Sequence, residues 1–551
     1  MGRFHFRGAA TRSSHALMPE PRSSPVLAGR VARVCVCLVS LLLASVASAA
    51  APVLRAVEFS GNSVFPDARL AALAQPWLGR PAEPGTVAAL LARLTDLYLQ
   101  AGFSTSRAVQ AGAPGEDGVL RVTLVEGFLE RIVVHGARAM EPSYVAARLQ
   151  AGITTPLNLA VLNANLRLLM QERGIADVKA ELKPGSRPGA SVFEVTITEA
   201  ARFGGGMRLA NDRAPAVGAL HGAIEGQARD LFTPGDRVDV ELGKADGLDD
   251  FDFRIDLPWS RRGPRFSLRY FHAVSNLVEE QFEVLGAETR STAFDLGMSQ
   301  ALWDTPTRQW KLALNLVAKQ SDSSLNGVPA SFSPGVENGK ADVRIARLST
   351  AWTERRGHDA FSARLIWSAG AGVLGATRHG GDLPDGRFFS LFAQLQWLHA
   401  LGPRLGSIRA RAEAQLADDG LLPLEKFSVG GTNSVRGYRR SRYVRDNGWS
   451  AGLEYRLPLF RPATTGRRAL GQVTAFLFVD AGRAWNNFRY SLDELDPSRT
   501  LVAAGPGLRW ELATGTGLEL AWGGLRRRVA DTGDNLQDRG LHFMLSAHRQ
   551  F

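Results

Sequence analysis

The sequence contains very little cysteine. Cys35 and Cys37 are its two cysteines, and both fall in RVARVCVCLVSLLLASVASAA, where arginines precede an apolar run that ends in small residues. This order predicts a secretory signal peptide over residues 1–49, with Met18 as an alternative start because the leader is long. A single membrane anchor is the other interpretation, but the apolar run is short for a span of ~20 residues. Removal of the leader would leave no thiol for a disulfide or a metal site.

A strong charge excess and catalytic motifs are also missing. The formal net charge is +11, and it falls to +6 without residues 1–49, which hold six arginines and one glutamate. This modest excess gives no support for nucleic-acid binding. The ten histidines lack ligand spacing, no nucleophile, base and acid form a set, and no Gly-x-x-x-x-Gly-Lys phosphate loop occurs. The sequence therefore predicts a protein that is not an enzyme, with no catalytic residue, no metal site and no cofactor.

Residues 53–200 contain two copies of the same pattern of predicted strands and helices. VLRAVEFSGNSVF and FLERIVVHGARAM each predict a short strand, which is followed in both copies by helical stretches and then by further strands. This order predicts α+β modules with helices on one face of a small sheet, at residues 53–127 and 128–200. Such sheets are either spacers or binders that accept an extended peptide at a free edge.

Residues 201–551 lack a helical period. They contain sixteen stretches of about 9–15 residues, nearly all of which alternate apolar and polar positions, as SIRARAEAQL does. A soluble β-sandwich also alternates. The connections, however, differ in length: short ones fall at residues 233–236, 353–359 and 401–406, and long ones fall at residues 320–338 and 417–446. Short turns on one side and long loops on the other favour a sixteen-stranded transmembrane β-barrel.

The positions of the aromatic residues are informative. Ten of the eleven tryptophans lie in this second part of the chain. Those beside the short connections suit an interfacial girdle, and they are Trp259, Trp303, Trp310, Trp352 and Trp397. The sequence ends on Phe551, and a terminal aromatic resembles the signal by which outer-membrane barrels are recognised for insertion. Arg549 interrupts the apolar face there, and its side chain must reach the interface.

The long connection 417–446 joins the eleventh and twelfth predicted strands. It is rich in glycine and arginine and contains Val435-Arg436-Gly437-Tyr438. A solvated loop at the cell surface is one interpretation of so many charges. A loop folded into the lumen is the other, and Gly437 would then permit the tight turn that presents Arg436.

The thirteenth predicted strand, VTAFLFVDAG, offers a partner for that arginine. Its alternation places Phe478, Asp480 and Gly482 on the lumen face, and Gly482 would leave room for a loop to approach. Asp480 can accept two hydrogen bonds from Arg436, and Glu454 on the preceding strand is a second candidate. In a water-filled lumen such a pair contributes only ~0–1 kcal/mol of stability, so we expect its role to be geometric.

At these residues the sequence resembles the two-partner secretion outer-membrane transporters, which export haemolysins and filamentous adhesins. The shared features are two polypeptide-transport-associated (POTRA) domains, a sixteen-stranded barrel, the Val-Arg-Gly-Tyr loop and Phe-x-Asp-x-Gly. The resemblance implies that Arg436 is the family's invariant loop arginine and that Asp480 is its strand partner. It also implies that residues 53–200 receive an unfolded exoprotein. Family members often begin with a helix that plugs the barrel, whereas here strand residues begin at about Val53.

These features predict a transporter in the outer membrane of a Gram-negative bacterium, with its POTRA domains in the periplasm. We expect it to capture an unfolded haemolysin-type or adhesin-type partner and to export it through the barrel without nucleotide hydrolysis. Outer-membrane lipid and the barrel assembly machinery are the other expected partners. The alternative is an outer-membrane protein insertase of the same superfamily, which commonly has more than two periplasmic repeats. A passive porin or barrel enzyme should lack the repeats.

Overall fold

The computed structural model of the chain describes residues 51–138, 140–172, 174–260, 263–460, 471–487, 500–512, 515–526 and 535–551. The predicted signal peptide at residues 1–49 lies outside the described residues. Within these ranges no helix combines the length and the apolarity that are needed to cross a membrane.

The first module has the predicted order of strand, helix, helix, strand, strand. Its elements are β1 (Ala56–Ser60), α1 (Asp67–Ala74), α2 (Pro84–Gln100), β2 (Arg107–Gln110) and β3 (Val119–Val125). β3 is the central strand, and β1 runs parallel to it. α2 buries a single face, because its buried side chains are spaced three and four residues apart: Val87, Leu90, Leu94 and Tyr98.

The second module repeats this arrangement. Its elements are β4 (Phe128–His135), α3 (Pro142–Gln150), α4 (Leu159–Leu169), β5 (Ile175–Pro184) and β6 (Ala190–Glu199). β6 is the central strand, with β4 parallel and β5 antiparallel to it. The core is formed by the inner faces of the helices and by alternate residues of β6: Val145, Leu149, Leu162, Leu169, Phe193, Val195 and Ile197.

Each module has a glutamate that secures the loop after its first strand. Glu126, which follows β3, accepts a hydrogen bond from the backbone N–H of Ser63 at 2.7 Å. Glu199, at the end of β6, accepts hydrogen bonds from the backbone N–H groups of Arg138 and Met140 at 2.7 and 2.8 Å. Hydrogen bonds from backbone N–H groups to a carboxylate are strong, so these contacts fix the path of both loops.

Sixteen antiparallel strands form a closed barrel, as the alternation predicted. They are β7 (Phe203–Ala210), β8 (His221–Arg229), β9 (Arg237–Ala245), β10 (Leu248–Pro258), β11 (Arg265–Asn276), β12 (Ala287–Asp304), β13 (Arg308–Leu325), β15 (Lys340–Arg356), β16 (Asp359–Gly370), β17 (Phe388–Gly402), β18 (Gly406–Ala417), β21 (Asn447–Phe460), β22 (Gln472–Trp485), β23 (Thr500–Glu511), β24 (Thr516–Trp522) and β26 (Leu541–Gln550). The last strand pairs with β7 and closes the barrel. Closure satisfies the backbone hydrogen bonds of the wall, as lipid requires.

Smaller elements lie in the connections. They are α5 (Glu280–Glu283), β14 (Val328–Pro329), β19 (Phe427–Val429), β20 (Tyr443–Arg445), β25 (Leu525–Arg526) and single 3-10 turns at Gln75–Trp77, Pro215–Val217 and Pro423–Glu425. β19 and β20 pair as an antiparallel hairpin inside the connection between β18 and β21. That connection therefore has its own hydrogen-bonded structure.

Strand β22 illustrates the two faces of the wall. Leu477 and Val479 are 61% and 54% exposed on the outside, whereas Phe476, Phe478 and Asp480 are buried on the inside. This alternation follows from the period of two in a strand. The residues assigned to the lumen from the sequence therefore do face inward.

The connections differ in length between the two ends of the barrel. At the end where the chain enters β7, turns are short, at residues 230–236, 305–307, 357–358 and 403–405. At the other end most connections are long, at residues 277–286, 326–339, 371–387 and 418–446, although residues 246–247 alone join β9 to β10 there. The connection expected at residues 320–338 starts later, because β13 continues to Leu325 through polar residues. The turn expected at residues 353–359 is reduced to residues 357–358, because β15 and β16 extend into it.

Tryptophans cluster at the end with the short turns. Trp310 lies opposite both Trp303 and Trp352 in the strand register. The Trp310 and Trp352 rings have centroids 6.4 Å apart. Trp259 and Trp303 are more than half exposed. Amphipathic rings in this position suit a membrane interface.

Candidate functional site between the arginine loop and the barrel wall

Residues 418–446, here called the arginine loop, pack against inward-facing side chains of the barrel. Val429, Val435 and Tyr438 of the loop are buried in a cluster with Leu501 and Ala503 of β23. Both of these β23 residues lie in register with the inner face of β22. The apolar contacts fix the loop against the wall beside the polar site described next.

Arg436 is the centre of the polar site. Its Nε and Nη2 donate hydrogen bonds to the two carboxylate oxygens of Asp480 at 2.7 and 3.0 Å, and its backbone N–H donates to the same group at 3.1 Å. Its Nη1 donates to Glu454 at 2.5 Å. The guanidinium also lies 3.8 Å from the ring centroid of Phe478. A planar fork between two carboxylates and an aromatic face is an arrangement that lysine cannot reproduce.

The pair is buried, in contrast to the expectation of a water-filled surrounding. Arg436 is 6% exposed and Asp480 is fully buried, because the loop cluster and Phe478 exclude water from them. Burial alone would lower the pKa of Arg436, but the hydrogen bonds and charges of Asp480 and Glu454 outweigh burial and raise the pKa. Breaking a buried ion pair is costlier than breaking an exposed one. Here Arg411 and Arg456 would stay beside Asp480 and Glu454 if Arg436 were lost, which reduces that cost.

Arg411 on β18 is a second contact between the wall and the loop. Its guanidinium donates hydrogen bonds to the backbone oxygens of Asn433 and Ser434, both at 2.7 Å, and lies 3.4 Å from Asp480. Gly452 stands between Arg411 and Asp480 in the register, and a Cβ there would lie 2.4 Å from the Asp480 carboxylate. Glycine at 452 thus allows the two charged side chains to meet.

The tip of the loop presses its backbone against the wall. Gly437 has φ +90°, and a Cβ on it would lie 2.9 Å from the Cα of Gly523. Its N–H donates a hydrogen bond to Nε2 of His542 on β26 at 3.0 Å. The hydroxyl of Tyr438 donates to the backbone oxygen of Val502 at 2.9 Å. The Val-Arg-Gly-Tyr segment therefore contacts several strands at once.

Gly482 gives the loop room on β22. A Cβ at this position would lie 2.7 Å from Val429 and 3.0 Å from Val435. Any larger residue would push the loop cluster away from the wall. Val435 itself is fully buried.

A second charged cluster holds the loop beyond its tip. Arg439 donates hydrogen bonds to Asp538, in the last connection, at 2.9 Å, and to Glu279 at 2.7 Å. The backbone N–H of Arg440 donates to Gln537 at 2.8 Å. The hydrogen bond to Asp538 is the largest cause that raises the pKa of Arg439. These arginines are engaged with the protein rather than solvated at the surface.

Phe551 lies apart from this site. It exchanges backbone hydrogen bonds with Phe203 at the end of the barrel where the turns are short, and its ring is 69% exposed. Arg549 lies 5.7 Å from that ring. In the described ranges, no group of histidine, cysteine, aspartate and glutamate side chains is arranged to hold a metal ion.

Sequence reasoning brought Arg436, Asp480 and Glu454 together, as the structure does, but it missed three participants. Arg411 was assigned only to a polar strand face, and Gly452 and His542 were not assigned to the site. Backbone oxygens such as those that Arg411 contacts occur at every position, so they leave no mark in a sequence. The register of β18, β21 and β22 is needed to find them.

Two protein families match the chain. Residues 189–510 match the haemolysin secretion/activation protein family ShlB/FhaC/HecB. Residues 53–127 match the ShlB-type POTRA domain. The first match covers more than half of the chain and includes both partners of the buried ion pair.

Similar proteins are named as transporters. Outer membrane transporter CdiB from Escherichia coli is 24% identical over 475 residues, which are 82% of this chain and 75% of that protein. Hemolysin transporter protein ShlB from Serratia marcescens is 25% identical over 386 residues, which are 65% of this chain and 64% of that protein. The solved structure of CdiB from Escherichia coli aligns with a TM-score of 0.65 at 20% identity over 92% of each chain, which supports the fold.

Proposed function

The chain belongs to the ShlB/FhaC/HecB family of haemolysin secretion/activation proteins, and we propose that it captures one unfolded exoprotein in the periplasm and exports it through its barrel without nucleotide hydrolysis. It is a two-partner secretion transporter of the outer membrane with periplasmic POTRA domains. Lipid around the barrel and the barrel assembly machinery at insertion are the other partners in this proposal.

Capture is assigned to the free edges of the POTRA sheets. β5 is an edge strand of ten residues that pairs only with β6 among the described strands. An exposed edge offers unpaired N–H and C=O groups to an extended chain, whatever its side chains. An unfolded exoprotein is such a chain.

The observation that carries export is the contact of Arg436 with Asp480 and Glu454. A loop held inside a barrel by a polar contact can be released. In this wall a second cation lies beside each of the two carboxylates that bind Arg436. Arg411 already lies 3.4 Å from Asp480, and Arg456 donates a hydrogen bond to Glu454 at 2.6 Å. Each carboxylate would keep a cation after the loop moves, which avoids the cost of an unpaired buried charge.

The energy for export is assigned to the folding of the exoprotein outside the cell. The periplasm supplies no nucleotide, and the sequence contains no Gly-x-x-x-x-Gly-Lys phosphate loop. A chain that folds on one side of a pore cannot return through it unfolded without losing its folding free energy. We therefore assign no catalytic role to any residue.

The alternative of an insertase has less support. Insertases of the superfamily are expected to have more than two periplasmic repeats, and the described part of this chain contains two such sheets. A passive porin would not need them. Transport of a dedicated partner uses both the sheets and the releasable loop.

Deletion of residues 53–200 tests the capture step. The barrel satisfies its own hydrogen bonds, so the truncated chain should insert into the outer membrane and resist heat in detergent while secretion stops. The client to follow is a large secreted protein encoded by a neighbouring gene, measured in the medium beside cells with the full chain. Normal secretion by the truncated chain would contradict the receptor role.

A further inference from the structure

The inner face of strands β13 and β15–β18 is strongly basic. Arg411 faces the lumen because it contacts the arginine loop. The register of the strands then shows which residues of the neighbouring strands face the same way. The basic side chains on this face are Lys311, Lys319, Arg347, Arg355, Arg364, Arg409 and Arg411. Glu413 is the one carboxylate of these fully described strands on the same face.

Some of these cations are neutralised by the protein. Lys319 and Arg347 contact Glu425 of the arginine loop at 2.7 and 2.5 Å. Arg411 contacts Asp480 and loop carbonyls. Lys319 and Arg347 lie farther along β13 and β15 from the short turns, and Arg411 is already occupied by the loop.

The remaining cations form an entrance patch, defined as Lys311, Arg355, Arg364 and Arg409. None of them forms an ion pair with any residue in the described ranges. Each lies within a few residues of a short turn, at the end of the barrel that follows the POTRA domains. Lys311, Arg355 and Arg364 are exposed although the arginine loop is in place.

The register places the patch on one surface. Lys311 pairs with Ala351, which pairs with Arg364. Arg355 pairs with Ala360, which connects through Leu398 to Arg409. Neighbouring strands are ~4.8 Å apart, so cations two or three strands apart are separated by ~10–14 Å across the sheet, which is about one to two times the ~8 Å screening length of physiological salt.

The neighbouring wall, formed by β9, β10 and β11, lacks such an excess. Three of its inward arginines donate hydrogen bonds to aspartates: Arg237 to Asp239, Arg265 to Asp256, and Arg269 to Asp252. The fourth, Arg254, forms no ion pair within the described ranges, but the same face also carries the carboxylates Glu241 and Asp250. These carboxylates already contact arginines of their own part of the wall, so they do not neutralise the entrance patch, whose positive potential is directed into the lumen.

We infer that the entrance patch binds acidic segments of the extended polypeptide as it enters the barrel from the periplasm. This inference rests on the transport function proposed above. Charge complementarity identifies the occupant: an unfolded segment rich in aspartate and glutamate is drawn to unpaired arginines and lysine, whereas a basic segment is repelled. Because the contacts are exposed, they are weak and exchange rapidly, as passage requires.

The test measures the binding of labelled peptides to the full chain in detergent by fluorescence anisotropy. Three peptides of equal length alternate glycine with glutamate, lysine or glutamine. The acidic peptide should bind most tightly, and added salt should weaken its binding. In Lys311→Gln/Arg364→Gln its affinity should fall about tenfold, on the order of two exposed charge contacts. Arg409 is left unchanged because it lies opposite Glu454 in the register.

The matched control is Lys244→Gln/Arg290→Gln, which removes the same charge from side chains that point away from the lumen. It should bind the acidic peptide as the wild type does, and unheated gels should show that both variants are folded barrels. Equal binding by the entrance variant and the wild type would overturn the inference, as would equally tight binding of the lysine peptide. The assay involves no export, so its outcome is independent of the capture test.

Discussion

Arg411 and Asp480 approach each other to 3.4 Å across the space left by Gly452. The same guanidinium donates hydrogen bonds to the backbone oxygens of Asn433 and Ser434, two residues and one residue before Val435. Arg411 therefore links the carboxylate that holds Arg436 to the chain that presents it. Glycine at one wall position determines whether this link can form.

Replacement of Gly452 by alanine should loosen the arginine loop. The new Cβ would lie 2.4 Å from Asp480 and 2.9 Å from Arg411, so the contacts to the loop must shift. Hydrogen bonds to charged groups contribute roughly 1.5–3 kcal/mol. We therefore expect trypsin to cleave the arginine loop of the purified variant about tenfold faster than the loop of the wild-type protein. Cleavage sites and rates are read by mass spectrometry.

Gly226→Ala on β8 is the matched control, because a Cβ there meets nothing within 4 Å. Its loop should be cleaved at the wild-type rate. If Gly452→Ala is cleaved no faster than Gly226→Ala, Arg411 does not position the loop.

Most of the barrel could be predicted from the sequence, because the alternation of apolar and polar residues and the turn residues are local signals. Prediction failed at the ends of strands, where β13 continues through the polar run QSDSS before it ends at Leu325. The partners Arg436 and Asp480 were recoverable because strand phase shows which carboxylate points inward. Burial of the pair was missed, because it depends on how Val435 and Tyr438 fill the space around it, and that packing is a tertiary property.

His542 should be required as a hydrogen-bond acceptor. Its Nε2 accepts the N–H of Gly437, and the residue is 2% exposed. His542→Leu would leave that buried N–H without its acceptor, at a cost of about 1–3 kcal/mol, and export should fall several-fold. His542→Gln offers an oxygen in place of Nε2 and should retain most export. Secretion assays with both variants at equal barrel levels decide this, and wild-type export by the leucine variant would contradict it.

Proline substitutions on β5 can separate capture from folding. Along an edge strand, successive N–H groups point alternately to the neighbouring strand and outward, so Lys179 and Ala180 differ in direction. One of Lys179→Pro and Ala180→Pro should destabilise the sheet. The other should keep the melting temperature and lose about tenfold in affinity for the unfolded exoprotein, because it removes a donor from the free edge.

The charge swap Lys179→Glu controls for side-chain effects. It should bind nearly as the wild type does, because strand addition uses the backbone. Binding is measured with the urea-unfolded exoprotein that wild-type cells secrete. Undiminished binding by both proline variants would exclude β5 as the capturing edge.

The contact between Arg436 and Asp480 should act as one unit in export. Arg436→Ala leaves Asp480 with Arg411 and Glu454 with Arg456, and Asp480→Ala leaves Arg436 with Glu454. Because no buried charge is left alone, both variants should still insert. Each should lose export by about tenfold or more, since the fork that fixes the loop tip is gone.

The double variant distinguishes one shared contact from two separate roles. If both residues act through one interaction, Arg436→Ala/Asp480→Ala should export about as much as either single variant, and the double-mutant cycle should give a large coupling. Arg436→Lys keeps the charge without the planar fork, and we expect it to resemble the alanine variant. If the export losses of the two single variants add in the double variant, Asp480 has an effect even when Arg436 is absent. Arg436 would then act elsewhere, for example on the exported chain.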